Sequence, residues 1–169
     1  MMGSKNKAQK SAKGMEKTNV MRLLDAHGVE YEEYTYVGTG AISGTDVAET
    51  LGQNPAQVFK TLVTRGRSGA NYVFVIPVAK ELDLKKAAKA AGEKSVEMVK
   101  SKELLPLTGY VHGGCSPIGM KKFFPTFFDS SAGEADPVIF SGGKIGYQVK
   151  VSLSDLAKVI SFKLSHLTE

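Results

Sequence analysis

The sequence predicts one α+β domain on a mixed β-sheet of about seven strands, with four or five helices. Three observations lead there. Strand-like apolar runs outnumber helical ones and do not alternate with them, which disfavours a doubly wound βαβ series. The runs Val58 to Arg65 and Tyr72 to Val78 flank Gly66-Arg67-Ser68-Gly69, a turn that makes them an antiparallel hairpin. The 169 residues, 42% hydrophobic and 23% charged, are enough for one domain with a real core and exclude wholesale disorder.

Element by element, Thr18 caps a helix running to about His27, with Val20, Leu23 and Leu24 on one face and Gly28 as its stop. Val29 to Val37 alternates as a strand with a partly exposed face. Ser43 or Thr45 caps a short helix ending near Leu51-Gly52, and Asn54-Pro55 reads as a cap followed by a first helical position. After the hairpin, Asp83 caps an Ala/Lys-rich helix that Gly92 stops, and Ser95 to Val99 is a short strand. Ser101 starts a helix that Pro106 and Gly109 are expected to break. Lys122 to Asp129 contains Pro125, which predicts an edge strand or a bulge. Val138 to Ser141 and Ile145 to Val151 are two strands across Gly142-Gly143-Lys144, and Ser152 or Ser154 caps a closing helix to Ile160.

The single cysteine, Cys115, excludes a disulfide framework and a cysteine-rich zinc site, and no cofactor is indicated. No apolar run nears the roughly 18 residues of a membrane span, and the N-terminus lacks the apolar stretch of a secretory signal. A soluble, cytoplasmic protein that does not engage a membrane is expected. The formal charge of +5 invites a nucleic-acid reading, but Lys5, Lys7, Lys10 and Lys13 supply +4 of it within residues 1–14. Residues 1–16 are therefore expected to be a disordered basic tail, and the domain, 17–169, is nearly neutral.

Gly38-Thr39-Gly40 lacks the third glycine of a dinucleotide loop, and Gly142-Gly143-Lys144 lacks the spacing of a phosphate loop. His112 and Cys115 lie three apart, but spacing alone shows neither contact nor a third orienting group. Two features remain. Lys60 shares a strand face with Val58 and Leu62, so an amine lies on an otherwise apolar face; it is either functional or reaches the rim. Gly113-Gly114-Cys115-Ser116-Pro117-Ile118-Gly119 is a backbone open to close ligand approach, or an ordinary turn.

These segments carry a resemblance. Asn54-Pro55-Ala56-Gln57-Val58-Phe59-Lys60-Thr61-Leu62, Leu82-Asp83-Leu84, the Gly113–Gly119 loop and Ser141-Gly142-Gly143-Lys144 stand in order within a match from about Thr18 to Lys163. The chain resembles the YbaK/EbsC family of aminoacyl-tRNA editing proteins, relatives of which form the editing insertion of bacterial prolyl-tRNA synthetases. The resemblance implies a barrel-like form of the mixed sheet. It also implies the removal, in trans, of cysteine from mischarged Cys-tRNA(Pro), with prolyl-tRNA synthetase as a possible partner. It marks Tyr36, Lys60 and Ser116 as catalytic residues. Gly113, Gly114, Pro117 and Gly119 would cradle the substrate, Gly142 and Gly143 would form a second glycine turn, and Gln148 would bind substrate.

In cysteine-specific members the substrate's own thiol is thought to attack its ester, without an enzyme nucleophile or a metal. Where those members are expected to carry an aspartate, this chain has Gln148, which hydrogen-bonds but does not ionise. That leaves open a sister specificity for Ala- or Ser-charged tRNA with water as the nucleophile. A non-catalytic tRNA- or synthetase-binding module is the reading from another class. Deleting residues 1–14 is expected to weaken tRNA binding at low salt at most, and to leave deacylation at saturating substrate intact. Filter binding at two salt concentrations and a deacylation time course check this.

Overall fold

The computed structural model describes residues 16–169, so the predicted tail lies outside the described residues except for Glu16. The elements, in chain order, open with α1 (Asn19–Ala26), β1 (Glu32–Thr35), α2 (Gly44–Thr50) and a 3-10 turn (Pro55–Gln57). The hairpin β2 (Phe59–Gly66) and β3 (Asn71–Pro77) follows, then α3 (Leu84–Ala91), β4 (Val96–Met98) and α4 (Ser101–Thr108). The chain closes with β5 (Thr126–Asp129), α5 (Ala132–Ala135), β6 (Val138–Ser141), β7 (Tyr147–Val151), α6 (Leu153–Leu156) and β8 (Lys163–Ser165). None of these helices is long and apolar enough to cross a membrane.

The caps form as the side-chain chemistry requires. Thr18, Ser43, Asn54, Asp83 and Ser152 each accept a backbone N–H of the turn they open. The predicted break at Pro106 does not occur. Pro106 lies inside α4, on its exposed side, where the carbonyl that loses its partner is not shut away from solvent. Gly109, at φ +85°, ends that helix instead.

The sheet departs from expectation in three ways. The described residues hold eight strands rather than about seven, because β8 is only three residues long and carries no pattern of its own. They form two sheets rather than a closed barrel: β1-β7-β6, all antiparallel, and β4-β2-β3-β5-β8, which is mixed. Third, β5 is no edge. It runs parallel to β3 on one side and β8 on the other, and Pro125 stands just before it, with its carbonyl accepting the N–H of Val73 at 2.9 Å. A proline at that boundary costs the ladder nothing.

The two sheets touch through one parallel bridge, Val58 to Ile139. Phe128 of β5 holds them face to face, its ring 6.3 Å from Phe59 of β2, 6.3 Å from Phe140 of β6 and 5.1 Å from Phe162. Val149, Val151, Val138 and Leu156 close the same core. A second cluster, with Phe74 stacked on Phe127 at 5.4 Å, fills the space beneath α3. On β1 the inward face includes Glu33, fully buried beside Tyr31, whose phenol pKa is raised by burial first and then by Asp25 and Glu33.

Because Phe128 is fully buried and spans both sheets, Phe128→Ala is expected to cost about 3–5 kcal/mol in urea unfolding, with the slope unchanged.

Candidate active-site cleft

The cleft follows from the way the sheets separate. Beyond the Val58–Ile139 bridge, β2 and β6 run side by side without pairing. On the edge of β2 away from β3, β4 covers only Thr64 to Gly66, so Phe59 to Leu62 have no strand paired with them there. The wedge so left is a cleft of about 410 Å³, within the roughly 300–1,000 Å³ usual for small-ligand sites. Phe59 to Leu62 line one side, and Phe140, Ser141, Tyr147 and Gln148 the other. Tyr36, Ser43 to Thr45 at the start of α2, and Leu104, His112, Gly113 and Cys115 also line the cleft.

Four of the sequence-predicted residues therefore meet in one place: Tyr36, Lys60, Gly113 and Gln148. Tyr36 follows β1, and its N–H donates to Gly146 O at 2.8 Å. The Lys60 ammonium, one-third exposed, stands 3.5 Å from the carboxylate of Glu81, which is itself 73% exposed. Solvent screens that pair, so it does not tie up the ammonium. Among the described residues no Asp or Glu lines the cleft, and Lys60 is the one lysine that does. The cleft thus presents positive charge to whatever enters.

The other predicted residues do not line it. Ser116 is fully buried, and its Oγ accepts the N–H of Ile118 at 3.3 Å. Pro117 and Gly119 border a separate, smaller depression of about 140 Å³ beside Phe123 and Ile160. Gly114, Gly142 and Gly143 sit where backbones pack closely. A Cβ on Gly114 would lie 3.0 Å from the nitrogen of Ile145, and one on Gly142 3.3 Å from Tyr147. Gly143, at φ +91°, would press a Cβ to 2.7 Å from Val20.

Cys115 does reach the cleft, but burial pushes its thiol pKa up to about 12, and a hydrogen bond with Thr108 offsets this only in part. A neutral thiol is a poor nucleophile. Among the described residues no group of three or more His, Cys, Asp or Glu is placed to hold a metal ion. Sequence reasoning missed Thr61, Ser141 and Gln53. Thr61 is next to Lys60 on the open edge, so its exposure to the cleft was implicit in the strand position. Gln53, whose Nε2 donates to Gln148 Oε1 at 2.8 Å, carried no signal, because that contact spans 95 residues.

Residues 40–159 match the model of the aminoacyl-tRNA editing domain. The chain belongs to that family. It is 43% identical over 157 residues, 92% of this chain and 96% of the relative, to a protein of Enterococcus faecalis (strain ATCC 700802 / V583) named "Putative Cys-tRNA(Pro)/Cys-tRNA(Cys) deacylase EbsC". The fold is also that of a solved "putative trans-editing enzyme for prolyl tRNA synthetase", at TM-score 0.76 and 22% identity over 91% of this chain and 99% of that one. A third likeness is to the solved hypothetical protein APE2540, at TM-score 0.81 and 23% identity, covering 91% of this chain and all of the other. The editing-domain match includes Lys60 and the whole cleft apart from Tyr36.

In this editing domain Cys115→Ala is expected to keep any turnover within about threefold, since the neutral thiol supplies only packing. Native Cys115 should resist iodoacetamide at pH 8 and react readily in urea, as followed by mass spectrometry.

Proposed function

We propose that this chain is a trans-acting editing deacylase that removes cysteine from mischarged Cys-tRNA(Pro). The observation that carries this reading is the acid-free cleft around Lys60, in a chain 43% identical to a relative named for that substrate. The 3′ end of a charged tRNA brings phosphates, a ribose and an ester. A lone ammonium favours the phosphate or ribose end, and the apolar side chains of Phe59, Leu104 and Phe140 suit a small acyl group.

Among the described residues no hydroxyl lining the cleft is hydrogen-bonded to a His or Lys that could activate it, Cys115 is neutral and Ser116 faces inward. The substrate's thiol supplies the nucleophile. Its sulfur attacks the ester carbonyl carbon, the bond from that carbon to the ribose oxygen breaks, and the thiol proton ends on the ribose oxygen. The products are uncharged tRNA and a cysteine thiolactone. Nucleophile and carbonyl belong to one molecule, so holding the acyl group in an attacking conformation supplies much of the rate. Lys60 serves as the positioning cation, because a charged ammonium is a poor base. The nearly neutral domain makes independent tRNA affinity modest, and prolyl-tRNA synthetase holding the same tRNA would raise the effective concentration.

The test is a deacylation panel over Cys-, Ser-, Ala- and Pro-tRNA(Pro), with Lys60→Ala beside the wild type. The expected order puts Cys-tRNA(Pro) first, with thiolactone detected by mass spectrometry, and a loss of about 10²-fold in kcat/KM for Lys60→Ala. Equal turnover of Ala-tRNA(Pro), which has no thiol, would move the chemistry to water. Full activity in Lys60→Ala would remove the lysine from the mechanism.

A further inference from the structure

We propose that Gln53 is a positioning residue that turns the Gln148 side chain, so that its amide N–H groups face the cleft and donate to the carbonyl oxygen of the ester under attack. The inference deepens the editing reading and rests on it.

Gln148 lies on β7, directly opposite Tyr34 of β1 and Ser141 of β6, and is 5% exposed. Gln53 lies in the turn after α2, where its backbone N–H donates to Ala48 O at 2.8 Å. From that fixed position its Nε2 donates to Gln148 Oε1 at 2.8 Å. The acceptor end of Gln148 is thereby occupied. Its Nε2 donates to no described residue, and it is not among the side-chain atoms buried without a partner. The donor end is therefore open to the cleft that Gln148 lines.

The orientation of the pair follows from the second end of Gln53. Its Oε1 is buried without a partner. Reversing both amides would put an NH2 there and leave two buried N–H donors unpaired instead of one acceptor, the costlier arrangement. The chemistry follows from the polarity. In a cleft without carboxylates, an N–H donor held on a strand meets groups that gain negative charge, and the attacked carbonyl oxygen does so most.

The test uses the full chain as wild type, Gln53→Met and Gln53→Glu, with kcat, KM and melting temperature measured for each on Cys-tRNA(Pro). Glutamate only accepts, so it takes an N–H from Gln148 and turns the Gln148 carbonyl to the cleft. Methionine bonds neither end. Gln53→Glu is expected to melt within a few degrees of wild type and to lose about 10²-fold in kcat, with KM little changed, and to be worse than Gln53→Met. If Gln53 merely ties the α2 turn to β7, glutamate restores the tie and outperforms methionine. That order, or wild-type kcat in Gln53→Glu, overturns the inference. Should Gln53→Glu melt early, Gln148→Met decides, because it takes the amide donor out of the cleft without placing a charge there. The same kcat loss supports the inference, and wild-type kcat overturns it. A wild type inactive on every charged tRNA overturns the editing reading and this inference together, an outcome distinct from an active wild type with unaffected variants.

Discussion

The site depends on one constraint: the two sheets are joined by the single bridge between Val58 and Ile139 and are held beyond it only by side chains. Had β6 continued pairing along β2, the edge from Phe59 to Leu62 would be buried in a ladder, as closure of a barrel would require. Phe128, packed against Phe59 and Phe140, keeps the sheets from sliding while leaving that edge open. The cleft is thus the unpaired remainder of a sheet junction. Its depth is set by how early β6 and β2 separate.

An open strand edge is ordinarily a liability, because its unpaired backbone groups invite another strand. Here the start of α2 and Tyr36 line the cleft along that edge. Gly44 is part of that lining, and a Cβ there would overlap Val78. The charge balance in the wedge is as one-sided as its shape. Lys60 meets its carboxylate partner, Glu81, in solvent rather than in the cleft, so the ammonium still has a hydrogen-bonding face to offer an anion.

Local signals were legible in the sequence, and long-range ones were not. The hairpin, the caps at Thr18, Ser43, Asn54, Asp83 and Ser152, and the placement of Lys60 on a strand all rest on neighbours within a few residues. The division into two sheets rests on where β6 meets β2, some 80 residues apart, and no periodicity encodes it. Strand β8 is too short to show alternation, and Pro125 looked like an edge signal because a proline inside a central strand and one just before it read alike in sequence. The two amides, Gln53 and Gln148, are the extreme case, since neither residue type announces a partner.

The glycine segments show how a pattern can be read correctly as unusual and still be placed differently. Gly113-Gly114 and Gly142-Gly143 stand out because a side chain is costly there, and the structure shows what the cost would be. Gly113 and Gly114 abut Ile145, and Gly143 abuts Val20 and Tyr110. Gly119 also abuts Tyr110, whose phenol donates to Ile118 O. The two segments pack on each other and on α1 more than they face the cleft. Their closeness fixes the turn from which β7 departs at Tyr147, immediately before Gln148. The small residues thus set where β7 begins, and β7 sets which functional groups face Lys60 across the wedge. A change in those glycines would reach the site through the strand, by moving Tyr147 and Gln148 together.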